Sequence, residues 1–346
     1  MVRFLSIALA ALAIGLGIGF AYNKFGSRGE SVVNVYSSRK EELVRDLFKK
    51  FTAETGIEVR YVRDKAPQLI TRMESEGVYS KADLLLTADA TNLILAKNKG
   101  LLQPIRSAKL ENSIPASLRD GEGYWFGLTK RARIVVYNKG MVDVGKLSTY
   151  EDLADPKWRN LLLVSSSNRP YNQSLIAFMI AHNGMDAARK WVRGLVRNMA
   201  RAPAGGDTDQ IRAVAAGEGA IAIVNSYYFG RISSSEDPED KKVASKVGIF
   251  FPNQNTTGAM INISGGGVAK HAKNKANALR LLEFLVSKEA QEIYAHSNKE
   301  YPLVEGVSSA DILESWGSFK ESTLPLRELE RYLPESVQLA DEEGWK

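Results

Sequence analysis

The stretch "AIAIVNSYYFGRI", Ala220 to Ile232, decides the fold. It opens on an apolar run with strand composition. It then passes through Asn225 and Ser226, residue types that cap helices, and ends on Tyr227, Tyr228 and Arg231. Neighbours on a strand face opposite sides. In the first turn of a helix they lie roughly 100° apart, so a strand that hands over to a helix here lets both phenols look into one cleft. Two other junctions share this design: "NVYSSRKEEL" at 34–43 and "LLVSSSNRPYNQSL" at 162–175, where Pro170 suits a first helical turn and Tyr171 follows it. In open α/β sheets ligands bind beyond the carboxyl ends of the strands. Tyr171, Tyr227 and Tyr228 are therefore expected to meet, with Arg39 and Glu41 facing them from the other side of the cleft.

Working outward, "VVNVYSS", "IEVRYVRD" and "ADLLLTAD" read as strands, and "RKEELVRDLFKKFTAETG", "PQLITRMESEG" and "ATNLILAKNKG" as helices between and after them. Alternation of this kind predicts an α/β protein with a mainly parallel sheet covered on both faces. From "WFGLTKRARIVVYNKG" the chain leaves this first unit, and "KVGIFFPNQ" and "GAMINISGGGVAK" bring it back. The expected organisation is two lobes with a cleft between them: 31–130 and 250–305 in the first, 131–249 in the second, and 306–346 as a C-terminal helical segment. Asp207 reads as the N-cap of "DTDQIRAVAAGEG", "KANALRLLEFLVSKEAQEIYAHSN" as one helix, and "SGGGVAK" as a turn, since it lacks the spacing of a phosphate loop. Lys130, Arg131 and Arg133 of "TKRAR" read as a solvated hinge.

Composition narrows the function. Of 346 residues 44% are hydrophobic and 25% charged, the balance of an ordinary globular protein. A formal charge of +6, without a basic block interleaved with aromatics, gives no reason to expect nucleic-acid binding. The absence of cysteine excludes disulfides, thiolate metal sites and lipoprotein attachment. Residues 1–30 hold one early positive charge and then an uncharged run from Phe4 to Tyr22, the pattern of a signal peptide or an uncleaved membrane anchor followed by a linker. Either places the body of the chain outside the cytoplasmic membrane.

Several phenols in one cleft ask for a particular chemistry. A phenol ionises near pH 10, and a bound metal supplies the positive charge that shifts that balance. Hard Fe3+ matches the hard phenolate oxygen, and three phenolates balance its charge, whereas zinc and copper favour imidazole or thiolate. His182, His271 and His296 all lie away from the three junctions. Tyrosines also line clefts for sugars, organic anions or polyamines as amphipathic walls, and that alternative stays open on the residues alone. Arg39 fits a capping or an anion-binding role, Glu41 is accounted for by the helix dipole, and no Ser/His/Asp or paired-carboxylate arrangement points to an enzyme.

The motifs "VYSSR", "FTAETGIEV", "WFGLTKRARIVVYNK", "STYEDLADPKW", "SSNRPYNQSLIA", "DTDQIRAVAAGEG", "NSYYFGRI" and "NISGGGVAK" resemble, in order, the periplasmic ferric-iron-binding proteins of ABC importers, above all the FutA-type branch. The resemblance runs from Val32 to about Tyr301. It implies a type II periplasmic solute-binding fold that closes on Fe3+ as a monomer and delivers it to an ABC permease. It implies that Tyr171, Tyr227 and Tyr228 are ligands and that Arg231, three and four residues beyond the pair, lies on the same helical face and bonds a phenolate or an anion. One departure stands out. Where FutA-type proteins read "SSRHYN" this chain reads "SSRKEE", so the first-lobe tyrosine is replaced by Glu41. Either Glu41 donates a carboxylate, or a water or a small anion such as carbonate, held near Arg39, fills the place.

Overall fold

The computed structural model describes residues 31–346, so the leader reading of 1–30 lies outside the described residues. Eight strands form one curled sheet: β1 Val32–Ser37, β2 Glu58–Arg63, β3 Leu84–Thr87, β4 Phe126–Asn138, β5 Leu162–Leu163, β6 Ile221–Asn225, β7 Val247–Phe250 and β8 Ile261–Val268. The order is β2-β1-β3-β8-β4-β6-β5, with β7 also on β4. The sheet is mixed rather than mainly parallel. β1 runs parallel to β2 and β3, and β5 to β6, but β8 and β4 are antiparallel to all their partners. The cause is the return path: β8 re-enters the first half of the sheet directly from the second, with no crossover helix to reverse it.

The 13-residue β4 is what joins the two lobes. Its residues Phe126–Ala132 pair with β8, and from Arg133 onward it pairs with β6 and β7. The second passage, just before β8, is tied to the first. Arg133 N–H bonds the Met260 carbonyl at 2.9 Å. The buried Tyr150 hydroxyl donates to the Arg133 carbonyl at 2.5 Å and accepts from Met260 N–H at 3.1 Å.

Apolar periodicity placed the helices well: Arg45–Thr55 buries Leu47, Phe48 and Phe51, and Gly56 ends it at φ +69°. Where local chemistry intervened, the reading changes. The helix over 40–55 starts late, because Glu41–Leu43 forms a separate 3-10 turn. Ser287 caps a new helix, so 275–298 is two helices, Lys275–Leu285 and Lys288–His296. Gly206, not Asp207, is the N-cap of Asp207–Ala216, since the Asp207 carboxylate is used elsewhere. "SGGG" is not a turn but the interior of β8. A Cβ on Gly265 would sit 2.6 Å from the Phe126 carbonyl oxygen, and one on Gly266 2.6 Å from Leu86 Cδ2, so this strand must lack side chains where its neighbours crowd in. Among the described residues no helix is long and apolar enough to cross a membrane.

Candidate metal centre

Each phenol is held by a strand-to-helix junction. Tyr171 is the second residue of helix Pro170–Asn183, with proline at the first position. Tyr227 and Tyr228 are the second and third residues of helix Ser226–Ser233, which starts directly at the end of β6. The hydroxyls of Tyr171 and Tyr228 are 3.5 Å apart. The rings of Tyr227 and Tyr228 lie 4.2 Å apart at 31°. Tyr227 is 5% exposed and the other two are half-buried.

Burial dominates the electrostatics of this cluster. Burial pushes Tyr227 well above the ordinary phenol range, reinforced by Tyr171 and opposed by Arg131, Tyr228 and Arg39. Burial raises Tyr228 as well, helped by Tyr227, Tyr171 and Asp207. Without an added charge these two phenols are neutral throughout the physiological range. Among the described residues, no three His, Asp or Glu side chains are grouped so as to hold a metal ion.

Arg39 is near this cluster but not free. It is 4% exposed and grips Glu300 with two hydrogen bonds, Nη1 to Oε1 at 2.9 Å and Nη2 to Oε2 at 2.6 Å, and also donates to Ser264. Its charge reaches Tyr227 from inside the first lobe. Glu41 is not gathered with the phenols. It is exposed and lies near Tyr61 on β2, whose pKa it helps to raise after burial. It is Glu42 that approaches the second lobe, 3.8 Å from Arg231 Nη1. The 3-10 turn explains this: Leu43 is the buried residue of the turn, and both carboxylates project outward.

Arg131 and Arg133 are not a solvated hinge. They are 1% and 3% exposed, and only Lys130, on the opposite face of β4, reaches outward to Glu321 at 2.7 Å. Arg133 donates to Asp207 Oδ2 and Asn172 Oδ1, both at 2.7 Å, and its guanidinium lies 5.7 Å from the Tyr171 ring centre. Arg131 bonds the Ala88 carbonyl and lies 3.4 Å from Asp89, while its Nε and Nη1 have no hydrogen-bond partner. Asp89 also accepts from Ser174, three residues beyond Tyr171. The signal for this pair was present: two arginines two apart in a strand share a face.

A two-lobed α/β frame with phenols and buried guanidinium groups at the strand ends is that of a solute-binding protein. The chain belongs to the bacterial extracellular solute-binding protein family, which residues 79–320 match. It is 46% identical to "Iron uptake protein A1" of Synechocystis sp., over 91% of this chain and 87% of that protein. Among solved structures it resembles Trichodesmium FutA "in complex with iron and citrate ligands", with 49% identity and TM-score 0.86, covering 91% of this chain and all of that one. It also resembles the "Ferric binding protein from Campylobacter jejuni", with 41% identity and TM-score 0.88, covering 91% and 100%.

Proposed function

We propose that this chain captures Fe3+ outside the cytoplasmic membrane through the phenolates of Tyr171, Tyr227 and Tyr228 and delivers it to an ABC permease. The observation that carries this reading is the convergence of three phenols from two junctions, with two hydroxyls 3.5 Å apart. Three negative oxygens offset three positive charges, and the low exposure of Tyr227 keeps competing water out. The relatives named above, two of them ferric or iron-bound, support the same cargo.

Arg131 supplies the second part of the site. Its unpartnered Nε and Nη1 and its charge beside Tyr227 favour the phenolate over the phenol. Arg39 adds charge from behind, fixed by Glu300. Coordination beyond the three phenolates is completed by water or a small anion such as carbonate, because Glu41 faces Tyr61 instead. Arg231 lies 3.8 Å from Glu42 of the other lobe, an exposed pair that leaves its guanidinium open to a phenolate or an anion. Metal ligands bind deprotonated, so uptake releases protons and acid favours release.

The test is a titration of the protein with ferric nitrilotriacetate, with and without bicarbonate, followed by visible absorbance. A phenolate-to-iron charge-transfer band that reaches a plateau at one iron per chain is expected, and Tyr227→Phe should weaken it. Without a band, the tyrosines are walls for an organic anion or polyamine.

A further inference from the structure

The chain end converges on the same junction from behind. Trp345 is fully buried, its ring packs edge-on against Trp191 at 6.4 Å, and its Nε1 donates to the Ser165 carbonyl at 3.0 Å. That carbonyl also accepts from Asn172 Nδ2 at 2.9 Å. Asn172 is the residue after Tyr171, and its other amide atom accepts from Arg133. Trp345 and the neighbour of Tyr171 thus share one acceptor.

The end is anchored to the second lobe by more than the ring. Arg193 donates twice to Glu343, at 2.7 and 3.0 Å, and Arg189 reaches Glu342 at 2.6 Å and Glu343 at 3.2 Å. The helix Leu333–Glu342 packs along Pro170–Asn183, the helix that carries Tyr171. Just before it, the 3-10 stretch Leu326–Tyr332 lies against Ala90–Asn98 and Ala116–Leu118 of the first lobe as well as against Pro170–Asn183. Leu326 and Leu329 are buried there. The family match ends at residue 320, ahead of this whole segment.

We infer that the C-terminal segment is a positioning element for the metal centre, with Trp345 fixing the Ser165–Tyr171 junction so that the Tyr171 oxygen meets the other two. This inference rests on the phenolate reading above. The helix that carries the phenol would otherwise start from an unanchored six-residue loop, Val164 to Arg169, after a two-residue strand. The shared carbonyl removes that freedom in advance of binding, which is where preorganisation raises affinity.

The experiment is a double-mutant cycle on the full chain, with Trp345→Phe, Tyr171→Phe and the pair, read by ferric nitrilotriacetate affinity and by the wavelength of the charge-transfer band. Trp345→Phe keeps an aromatic ring and removes the donor. It is expected to weaken Fe3+ binding about threefold to tenfold and to shift the band, since one buried hydrogen bond is lost. In the Tyr171→Phe background it is expected to do nothing more, because the group it positions is gone. Additive effects, or a Trp345→Phe variant with unchanged affinity and band, overturn the inference and leave the phenolate reading intact. If Tyr171→Phe alone changes neither affinity nor band, the phenolate reading fails and takes the inference with it. Should Trp345→Phe not fold, Arg193→Gln removes two of the three hydrogen bonds on Glu343, loosens the same chain end, and carries the same expectation in the same cycle.

Discussion

Replacing Arg39 by methionine tests the ground on which the first-lobe side of the site stands. Arg39 and Glu300 are 4% and 0% exposed and bound by two hydrogen bonds, with the Ser264 hydroxyl donating to Glu300 at 3.1 Å. Removing one member of a buried pair leaves the other charge uncompensated, at about 3–5 kcal/mol. Burial pushes the Glu300 carboxyl up, but the charge and hydrogen bonds of Arg39, with Arg131 behind them, hold it below its ordinary value of 4.5. In the parent protein the pair's contribution is complete above that value and is lost as pH falls through the lower folded value, where the unfolded chain binds the extra proton. In Arg39→Met the sign reverses. Burial then dominates, the folded carboxyl takes up a proton that the unfolded chain has released, and the variant gains stability as pH falls from 7 toward 4.5. The gap between parent and variant, about 3–5 kcal/mol at pH 7, should therefore narrow at pH 5. Guanidinium unfolding followed by tryptophan fluorescence at the two pH values measures both. A gap under about 1 kcal/mol at pH 7, the size of an exposed pair, or one that does not change with pH, refutes the reasoning.

Other expectations follow from the same geometry. Tyr228→Phe should lower Fe3+ affinity by more than the roughly 10–100-fold typical of groups behind a metal's ligands, measured by competition with nitrilotriacetate. Arg131→Gln should fall within about that 10–100-fold range and should move the acid limb of iron binding to higher pH, because Tyr227 loses a neighbouring charge that favours its ionised form; affinity measured from pH 5 to 8 checks it. Gly265→Ala forces a Cβ against the Phe126 carbonyl and should cost about 1–3 kcal/mol of stability, seen as a lower denaturation midpoint without a change in the iron band. Glu41→Gln should leave the band unchanged, since the carboxylate faces Tyr61; loss of the band would make Glu41 a ligand after all.

Much of the fold was legible because it rests on local periodicity. The strand-to-helix junctions at Tyr171 and Tyr227 announced themselves through capping residues and a proline, and the phenols do meet. What escaped were properties set by distant partners. The antiparallel direction of β8 against β3 and β4 depends on how the chain returns to the first half of the sheet, which no local pattern encodes. "SGGG" looks like a turn because glycine usually marks one, whereas here Phe126 and Leu86 demand its lack of a side chain. Arg131 and Arg133 read as solvated because charge is costly to bury, and only Asp89, Asp207 and Asn172, up to 74 residues away, make it affordable. The orientation of Glu41 was likewise decided by a 3-10 turn too short to carry a sequence signature.

The most direct measurement is a crystal structure of the protein grown with Fe3+, with the metal located by its anomalous scattering. The phenolate oxygens of Tyr171, Tyr227 and Tyr228 should all stand at roughly 2 Å from one iron, the usual span of a protein oxygen ligand. Iron held by carboxylates elsewhere, or by fewer than three of these oxygens, contradicts the account.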